Sequence, residues 1–203
     1  MNQSEQLFQE AVTLHQSGQL QQAVEFYRQC LAQLPDNADG HHLLGMALAQ
    51  LGDLNAAEQS LQHAVTLQPR NSAFINNLAE VQRKGGNLSQ AIANFTALLG
   101  FQPDFATGHY NLALAYKANN QWSLAEQHLL NAITLQPGYI KAQYNLGNLY
   151  LELGRYQEAG SCLEEALRLK PDYIDALLTL GSPPQQLQPY HRALTSHCRA
   201  LNL

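Results

Sequence analysis

The sequence predicts an all-α solenoid, in which antiparallel helix pairs stack on one another, and three observations lead to this prediction. Five prolines follow one another at intervals of 34 residues over most of the 203-residue chain. Small, apolar and turn-forming residues recur at fixed places within each interval. Both halves of an interval carry apolar residues at helical spacing. A period of this length is typical of repeat proteins in which each copy packs only on its neighbours.

The prolines set the register of the repeat. They are Pro35, Pro69, Pro103, Pro137 and Pro171. With each proline numbered as position 32, five repeats cover residues 4–37, 38–71, 72–105, 106–139 and 140–173. Position 20 is Ala23, Ala57, Ala91, Ala125 and Ala159, position 8 is Ala11, Gly45, Ala79, Ala113 and Gly147, and position 15 is Gly18, Gly52, Gly86, Asn120 and Gly154. Chance does not align small and turn-forming residues in five copies, so the repeat is genuine.

The fifth repeat shows how this pattern becomes structure. Residues 140–153 repeat at helical period, with positions 4, 7, 8 and 11 on one face, which predicts a first helix, helix A. Gly154 is expected to end helix A, and Pro171 to end a second helix, helix B. The small residues at positions 8 and 20 are expected where the two backbones cross, because a larger side chain would push the helices apart. A lone pair cannot bury its apolar face, so the pairs must stack.

Residues 174–203 keep the register but interrupt the pattern. A sixth helix A begins at Ile174, and Ser182-Pro183-Pro184 cuts it short. Ala193 nevertheless falls at position 20. We therefore expect a degenerate sixth repeat, with a proline-rich break at residues 182–189 and a capping helix B at residues 190–203. The alternative is that these last residues link to a further domain.

The combination of Leu at position 7, Gly or Ala at 8, Tyr at 11, Gly at 15, Ala at 20 and 27, and Pro at 32 resembles the tetratricopeptide repeat (TPR) family. The segment Tyr144-Asn145-Leu146-Gly147-Asn148-Leu149-Tyr150 is similar to that family's ideal helix A. The resemblance covers residues 4–173 and implies a right-handed superhelix that binds other polypeptides along an inner surface lined by the A helices. The same scaffold serves many unrelated complexes, so the resemblance identifies a fold more closely than a partner.

Charge and composition argue against several classes of function. The net charge of −5 is too mild to indicate a nucleic-acid partner, and it arises in residues 1–70, which hold 2 basic and 7 acidic side chains. No apolar stretch approaches the length of a membrane span, and the first residues lack the pattern of a signal peptide. We therefore expect a cytoplasmic protein without nucleic-acid or membrane partners.

The sequence also lacks patterns that indicate catalysis, a cofactor or a metal. It contains no GxGxxG, no GxxxxGK[ST] and no HExxH motif. The eight histidines show no ligand spacing; His41 and His109, for example, share position 4 in alternate repeats, too far apart for one ion. The three cysteines have no metal or redox spacing, and Cys30 is expected to be a small buried thiol. The protein is predicted not to be an enzyme and to need no cofactor.

A partner is expected to bind on a stripe of helix A formed by positions 2, 5, 6, 9, 12 and 13, which face away from helix B. Position 6 is asparagine in three successive repeats, and a carboxamide can hydrogen-bond the backbone of an extended peptide. Tyrosines at position 5 add flat contact area, and basic residues in the same stripe suit an acidic segment. The predicted peptide-binding residues are Asn76, Asn77, Arg83, Lys84, Tyr110, Asn111, Lys117, Lys141, Tyr144, Asn145 and Asn148.

Two hypotheses of function from different classes stay open at this point. The first is a scaffold or adaptor that binds a peptide or protein in the groove. The asparagines at position 6 also resemble those that line the TPR region of O-linked N-acetylglucosamine transferases. This resemblance implies the alternative, an N-terminal substrate-recognition region of a larger glycosyltransferase whose catalytic domain lies beyond Leu203. Self-association through a convex or terminal face is a third way in which such repeats could act.

Overall fold

The computed structural model describes residues 3–181, and every regular element among them is an α-helix. The helices are α1 (Gln3–Gln16), α2 (Leu20–Gln33), α3 (Ala38–Gln50), α4 (Leu54–Leu67), α5 (Ser72–Lys84), α6 (Leu88–Phe101), α7 (Ala106–Ala118), α8 (Trp122–Leu135), α9 (Ile140–Glu152), α10 (Tyr156–Leu169) and α11 (Ile174–Gly181). The predicted all-α fold of paired helices is thereby confirmed. The predicted break at residues 182–189 and the capping helix at residues 190–203 lie outside the described residues.

The chain divides into two compact halves, Met1–Pro103 and Asp104–Leu203. In the N-terminal half, α1–α2, α3–α4 and α5–α6 are packed pairs, and α2 and α4 also pack on the pair that follows. In the C-terminal half, α7–α8 and α9–α10 are packed pairs, α8 packs on α9, and α11 packs on α10. Odd-numbered helices are therefore A helices and even-numbered helices are B helices. The division into five repeats with the limits given above stays a prediction.

The two helices of a pair meet where the sequence places its smallest residues. The alanines at position 20 are fully buried, as Ala57 and Ala159 illustrate. In the N-terminal half, a Cβ atom on Gly45 would lie 2.6 Å from Cγ of Leu61. In the C-terminal half, a Cβ atom on Gly147 would lie 2.9 Å from Cγ of Leu163. Real Cβ atoms essentially never approach so closely, so each glycine allows the leucine of helix B to pack directly on the backbone of helix A.

The turn between the helices of a pair depends on one residue with a left-handed backbone. The φ angle at position 15 is +79° at Gly18, +87° at Gly52, +86° at Gly86, +57° at Asn120 and +72° at Gly154. L-residues with a Cβ rarely adopt this conformation, and asparagine is among the few that tolerate it. The turn predicted at position 15 is therefore confirmed in all five pairs, and Asn120 replaces glycine because its short polar side chain accepts the same φ angle.

The first helix differs from later A helices on the face that has no described helix before it. Position 7 is Leu44 in α3 and Leu78 in α5, and both leucines are buried in the core of the N-terminal half. The same position in α1 is Glu10, which is exposed. The first A helix therefore carries an exposed charged side chain where the later A helices of this half carry a buried leucine.

A Gly→Ala substitution at position 15 should change the free energy of unfolding in the opposite direction from a Gly→Ala substitution within a helix. Gly154→Ala places a Cβ on a residue with φ of +72° and should lower the free energy of unfolding by about 1–2 kcal/mol. Gly100→Ala, in α6, introduces a Cβ that meets no atom within 4 Å, and should raise it by about 0.5–1 kcal/mol. Chemical denaturation followed by far-UV circular dichroism measures both, and a shift in the same direction would contradict this account of the turn.

The close approach at position 8 makes a second prediction. Gly45→Ala should cost about 1–3 kcal/mol, because the new methyl group overlaps Leu61 and approaches the carbonyl oxygen of Ala57 to 3.1 Å. The cost should shrink in a Leu61→Ala background, where the overlapping branch is absent. A double-mutant cycle measures this coupling free energy. Additive costs would show that Leu61 is not the side chain that restricts position 8.

Candidate functional site

The candidate site is the helix-A stripe, which we define as positions 2, 5, 6, 9, 12 and 13 of each A helix. In the N-terminal half, the predicted binding residues lie on α5: Asn76, Asn77 and Arg83 are half-buried and Lys84 is exposed. In the C-terminal half, they lie on α7 and α9: Asn111 is buried, Lys141 is exposed, and Tyr110, Lys117, Tyr144, Asn145 and Asn148 are half-buried. Most of these side chains are therefore held by neighbours while part of each stays accessible.

Hydrogen bonds link the stripe from one repeat to the next in the N-terminal half. The Nδ2 atom of Asn77 donates to Nε2 of His42 at 2.8 Å, and Nδ2 of Asn76 donates to Oδ1 of Asn77 at 3.4 Å. The imidazole of His42 also stacks on Phe74, with ring centroids 4.6 Å apart. The asparagine at position 6 thus bonds the residue at position 5 of the preceding repeat, 35 residues earlier.

The same register appears in the C-terminal half. Nδ2 of Asn145 donates to the hydroxyl of Tyr110 at 3.2 Å and to the carbonyl oxygen of Lys141 at 2.8 Å. Both hydrogens of this amide are used, and the carbonyl oxygen Oδ1 is the part of Asn145 that can meet a ligand. This modifies the expectation from sequence, in which each carboxamide offered a donor and an acceptor to a peptide.

Side chains at positions 12 and 13 also join successive A helices, through different polar groups. In the N-terminal half, Nε2 of Gln50 lies 3.0 Å from Nε2 of His15. In the C-terminal half, Nζ of Lys117 forms an ion pair with Glu152 at 2.8 Å. Each pair joins position 12 of one repeat to position 13 of the next. A spacing of 35 residues therefore places side chains of successive A helices in contact at two levels of the stripe.

Three of the four basic residues predicted on the stripe contact carboxylates. Arg83 makes a two-point contact with Glu80, with Nε and Nη2 each 2.9 Å from a carboxylate oxygen, and Lys84 lies 3.4 Å from the same group. Lys117 is held by Glu152. Among the residues the structure describes, Lys141 takes part in no ion pair. Since Arg83 and Lys84 share one carboxylate, these groups leave one net positive charge in the N-terminal half, and Lys141 adds one in the C-terminal half.

Tyrosines form a recurrent aromatic pair in the C-terminal half. Tyr110 packs on Tyr139 with ring centroids 5.0 Å apart, and Tyr144 packs on Tyr173 with ring centroids 5.4 Å apart. Each pair joins position 5 of a repeat to position 34 of the same repeat. Burial raises the pKa of Tyr139 and of Tyr173, so both stay neutral phenols. The rings offer flat amphipathic surface next to Asn145.

Two histidines next to this surface form a contact that the sequence pattern did not indicate. Nδ1 of His109 lies 2.8 Å from Nδ1 of His128, and the rings stack with centroids 5.1 Å apart. Tyr116 stacks on His128 at 5.5 Å. One Nδ1 must carry a hydrogen and the other must accept it. Burial, followed by the proximity of His109, lowers the pKa of His128 to about 4.

Neither a metal centre nor a membrane span is found among residues 3–181. In this range, no group of three or more His, Cys, Asp or Glu side chains could hold a metal ion. No helix in it is long and apolar enough to cross a membrane.

Cys30 is fully buried, as expected, and its Sγ donates to the carbonyl oxygen of Ser4 at 3.6 Å. Burial raises the pKa of this thiol, which disfavours the reactive thiolate.

The His109–His128 contact predicts a pH dependence of stability. The pKa of His128 is depressed on folding, so its contribution is complete above pH 6.5 and is lost as the pH falls towards about 4. Between pH 7 and pH 5 the free energy of unfolding should fall by about 1 kcal/mol more in the wild type than in His128→Gln, after allowance for solvent screening. Denaturation curves at the two pH values measure the difference, and parallel losses would exclude His128 as the cause.

Sequence profiles of known families match most of the chain. Three profiles described as tetratricopeptide repeat match residues 14–81, 76–140 and 140–173. The last range coincides with the fifth repeat as numbered above. Together these matches extend over residues 14–173.

Solved structures with the same fold cover most of this chain. MamA residues 41 to the end, from Desulfovibrio magneticus RS-1, superposes with a TM-score of 0.77 at 20% identity, over 85% of this chain and 98% of that one. YrrB, described as a TPR protein with an unusual peptide-binding site, has a TM-score of 0.68 at 18% identity, over 85% and 89%. TTC0263, a thermophilic TPR protein of Thermus thermophilus, has a TM-score of 0.68 at 23% identity, over 86% and 95%.

Comparison with curated proteins finds no significant match. The family therefore follows from the profiles, which fit the helix pairs, the turn at position 15 and the close crossing at position 8 described above. The chain belongs to the tetratricopeptide repeat family.

Proposed function

We propose that the protein is a non-catalytic interaction scaffold that binds extended peptide segments of protein partners on its helix-A stripes. The observation that carries this proposal is the cross-repeat hydrogen bonding at positions 5 and 6. It holds partly accessible polar side chains in defined orientations on successive A helices. Groups that are already oriented lose little conformational entropy when a ligand binds.

The C-terminal half suits a peptide backbone in a specific way. Asn145 donates both amide hydrogens within the protein, so its Oδ1 is oriented as an acceptor for a peptide N–H. Tyr110 and Tyr144 provide ring surface on either side of it along the stripe. Lys141, exposed one turn before Asn145, can pair with an acidic side chain or a terminal carboxylate.

Comparison with solved structures supports binding of peptides by this architecture. YrrB shares the fold, and its description names a peptide-binding site. Identity between the two chains is 18%, so the likeness extends to the fold alone. The stripe residues of this chain are therefore proposed from their own geometry.

The glycosyltransferase alternative rests on the asparagines at position 6. Asn77 and Asn145 each donate to the preceding repeat, so they are not the row of free carboxamides on which the resemblance to the transferases was based. We therefore favour the scaffold, while the substrate-recognition role and self-association stay predictions. We also propose a cytoplasmic location without nucleic-acid or membrane partners.

A peptide selected on the purified full chain tests the proposal. Peptides from a random display library are selected at pH 7.5, and their affinity is measured by fluorescence anisotropy. Tyr144→Ala should weaken binding about tenfold, because it removes a central aromatic contact. Tyr156→Ala, at the start of helix B in the same repeat, is the matched control and should change affinity less than about twofold. Equal affinities of both variants and the wild type would place the binding site elsewhere.

A further inference from the structure

The N-terminal half carries a titratable group at the centre of its stripe. His42 occupies position 5 of α3, where α7 and α9 carry Tyr110 and Tyr144. Its Nε2 accepts a hydrogen bond from Nδ2 of Asn77 at 2.8 Å, which requires an unprotonated Nε2. Phe74 stacks on the ring and restricts its orientation. A proton on Nε2 would bring two donors face to face.

The equivalent hydrogen bond in the C-terminal half has a phenol oxygen as its acceptor, and this oxygen still accepts in mild acid. The hydroxyl of Tyr110 accepts from Asn145 at 3.2 Å, and a phenol oxygen keeps both its proton and its acceptor capacity at neutral and mildly acid pH. The two contacts join the same positions of successive repeats. The chain therefore provides its own comparison between a proton-sensitive and a proton-insensitive version of one bond.

Two features of the surroundings of His42 act on its pKa, and burial is the larger of them. Burial lowers its pKa below the usual 6.5, and the charge of Asp39, one turn earlier on α3, opposes this shift. The charged and titratable side chains on the helices packed against α3 are Glu5, Glu10 and His15 of α1, Glu25, Tyr27, Arg28 and Cys30 of α2, Glu58 and His63 of α4, and Glu80, Arg83 and Lys84 of α5. Of these, Glu80 is paired with Arg83 and Lys84. Among the described residues, Asp39 is the charge that acts on the pKa of His42.

We infer that His42 is a proton-dependent switch that reverses the hydrogen-bonding polarity of Asn77 and thereby weakens peptide binding to the N-terminal half in acid. This inference rests on the proposed function, whose stripe it regulates. At neutral pH, Asn77 donates to His42 and its Oδ1 accepts from Asn76 on the half-buried stripe. Protonated Nε2 becomes a donor, so the carboxamide of Asn77 must rotate and present Oδ1 to the ring.

The rotation exchanges an acceptor for a donor on the stripe. Nδ2 of Asn77 then points where Oδ1 had been, and Nδ2 of Asn76 loses the acceptor that it contacts at 3.4 Å. A peptide N–H that bound Oδ1 at neutral pH would face another N–H. Loss of one hydrogen bond, together with an unsatisfied donor, corresponds to an affinity loss of about tenfold. The positive charge on the ring further disfavours basic segments.

NMR of the isotope-labelled full chain tests the switch without any ligand. The side-chain amide signals of Asn77 should shift with the same midpoint as the ring signals of His42, below pH 6.5, and those of Asn145 should not follow that midpoint. In His42→Tyr, which copies the residue at position 5 of α7, the Asn77 signals should not shift with pH. His42→Gln serves as a second non-titrating variant if circular dichroism shows that His42→Tyr is unfolded. Asn77 signals that stay constant while His42 titrates would overturn the switch.

Binding experiments test its consequence. The probe is a library peptide selected on the full chain at pH 7.5 whose binding shifts the Asn77 amide signals. Its affinity should fall about tenfold between pH 7.5 and a pH below the midpoint that NMR gives for His42 in the wild type, and less than about twofold in His42→Tyr. His63→Gln, an exposed histidine of α4, is the matched control and should keep the wild-type pH dependence. An equal loss in His42→Tyr and wild type would refute the regulation.

The experiments distinguish failure of the proposed scaffold function from failure of the His42–Asn77 switch. If no selected peptide shifts any stripe signal, the proposed function and the regulation of binding are both overturned, whereas coupled titration of His42 and Asn77 would still establish the rearrangement. If a peptide binds the stripe but the Asn77 signals do not respond to pH, the scaffold function stands and the switch fails.

Discussion

The close crossing of helix A over helix B is the constraint on which the other features depend. A Cβ at Gly45 or Gly147 would overlap a leucine of helix B, so these positions hold the two backbones at one distance. The short link between the helices must then reverse the chain, which requires the positive φ angle at position 15. Because position 8 is glycine or alanine and position 15 has a positive φ angle in each of the five repeats, successive A helices are placed in a similar relation within each half of the molecule.

The contacts of the stripe follow from that relation. A residue on one A helix meets the residue 35 positions later, as the pairs His42–Asn77, Tyr110–Asn145 and Lys117–Glu152 show. The 35-residue spacing of these contacts repeats, but their chemistry does not. The earlier member of each pair is an imidazole, a phenol or an ammonium group. The fold thus supplies a regular frame, and the chemistry of each contact is set by the single side chains that form it.

The periodic features could be predicted from the sequence because they depend on local backbone requirements. Proline, glycine and alanine at fixed positions located the ends of helices, the turns and the crossings, and Asn120 fits the same turn as the glycines. Partners of polar side chains could not be predicted in this way. Asn145 could be placed on the stripe, but its two donated bonds depend on rotamers and on a hydroxyl 35 residues away. The His109–His128 contact crosses a single pair at a spacing of 19 residues, which the repeat period does not reveal.

A stripe whose polar groups already bond one another interacts with ligands differently from a row of free side chains. The donors of Asn145 are satisfied within the protein, so in the binding mode proposed above a peptide would add contacts chiefly through the acceptor oxygen and the tyrosine rings. An acceptor presented at a defined angle discriminates between a peptide N–H and a proline, which has none. Under the proposed function, the internal bonds would therefore favour backbone hydrogen-bond donors, and a residue that alters one internal bond would alter that preference at a distance of one repeat.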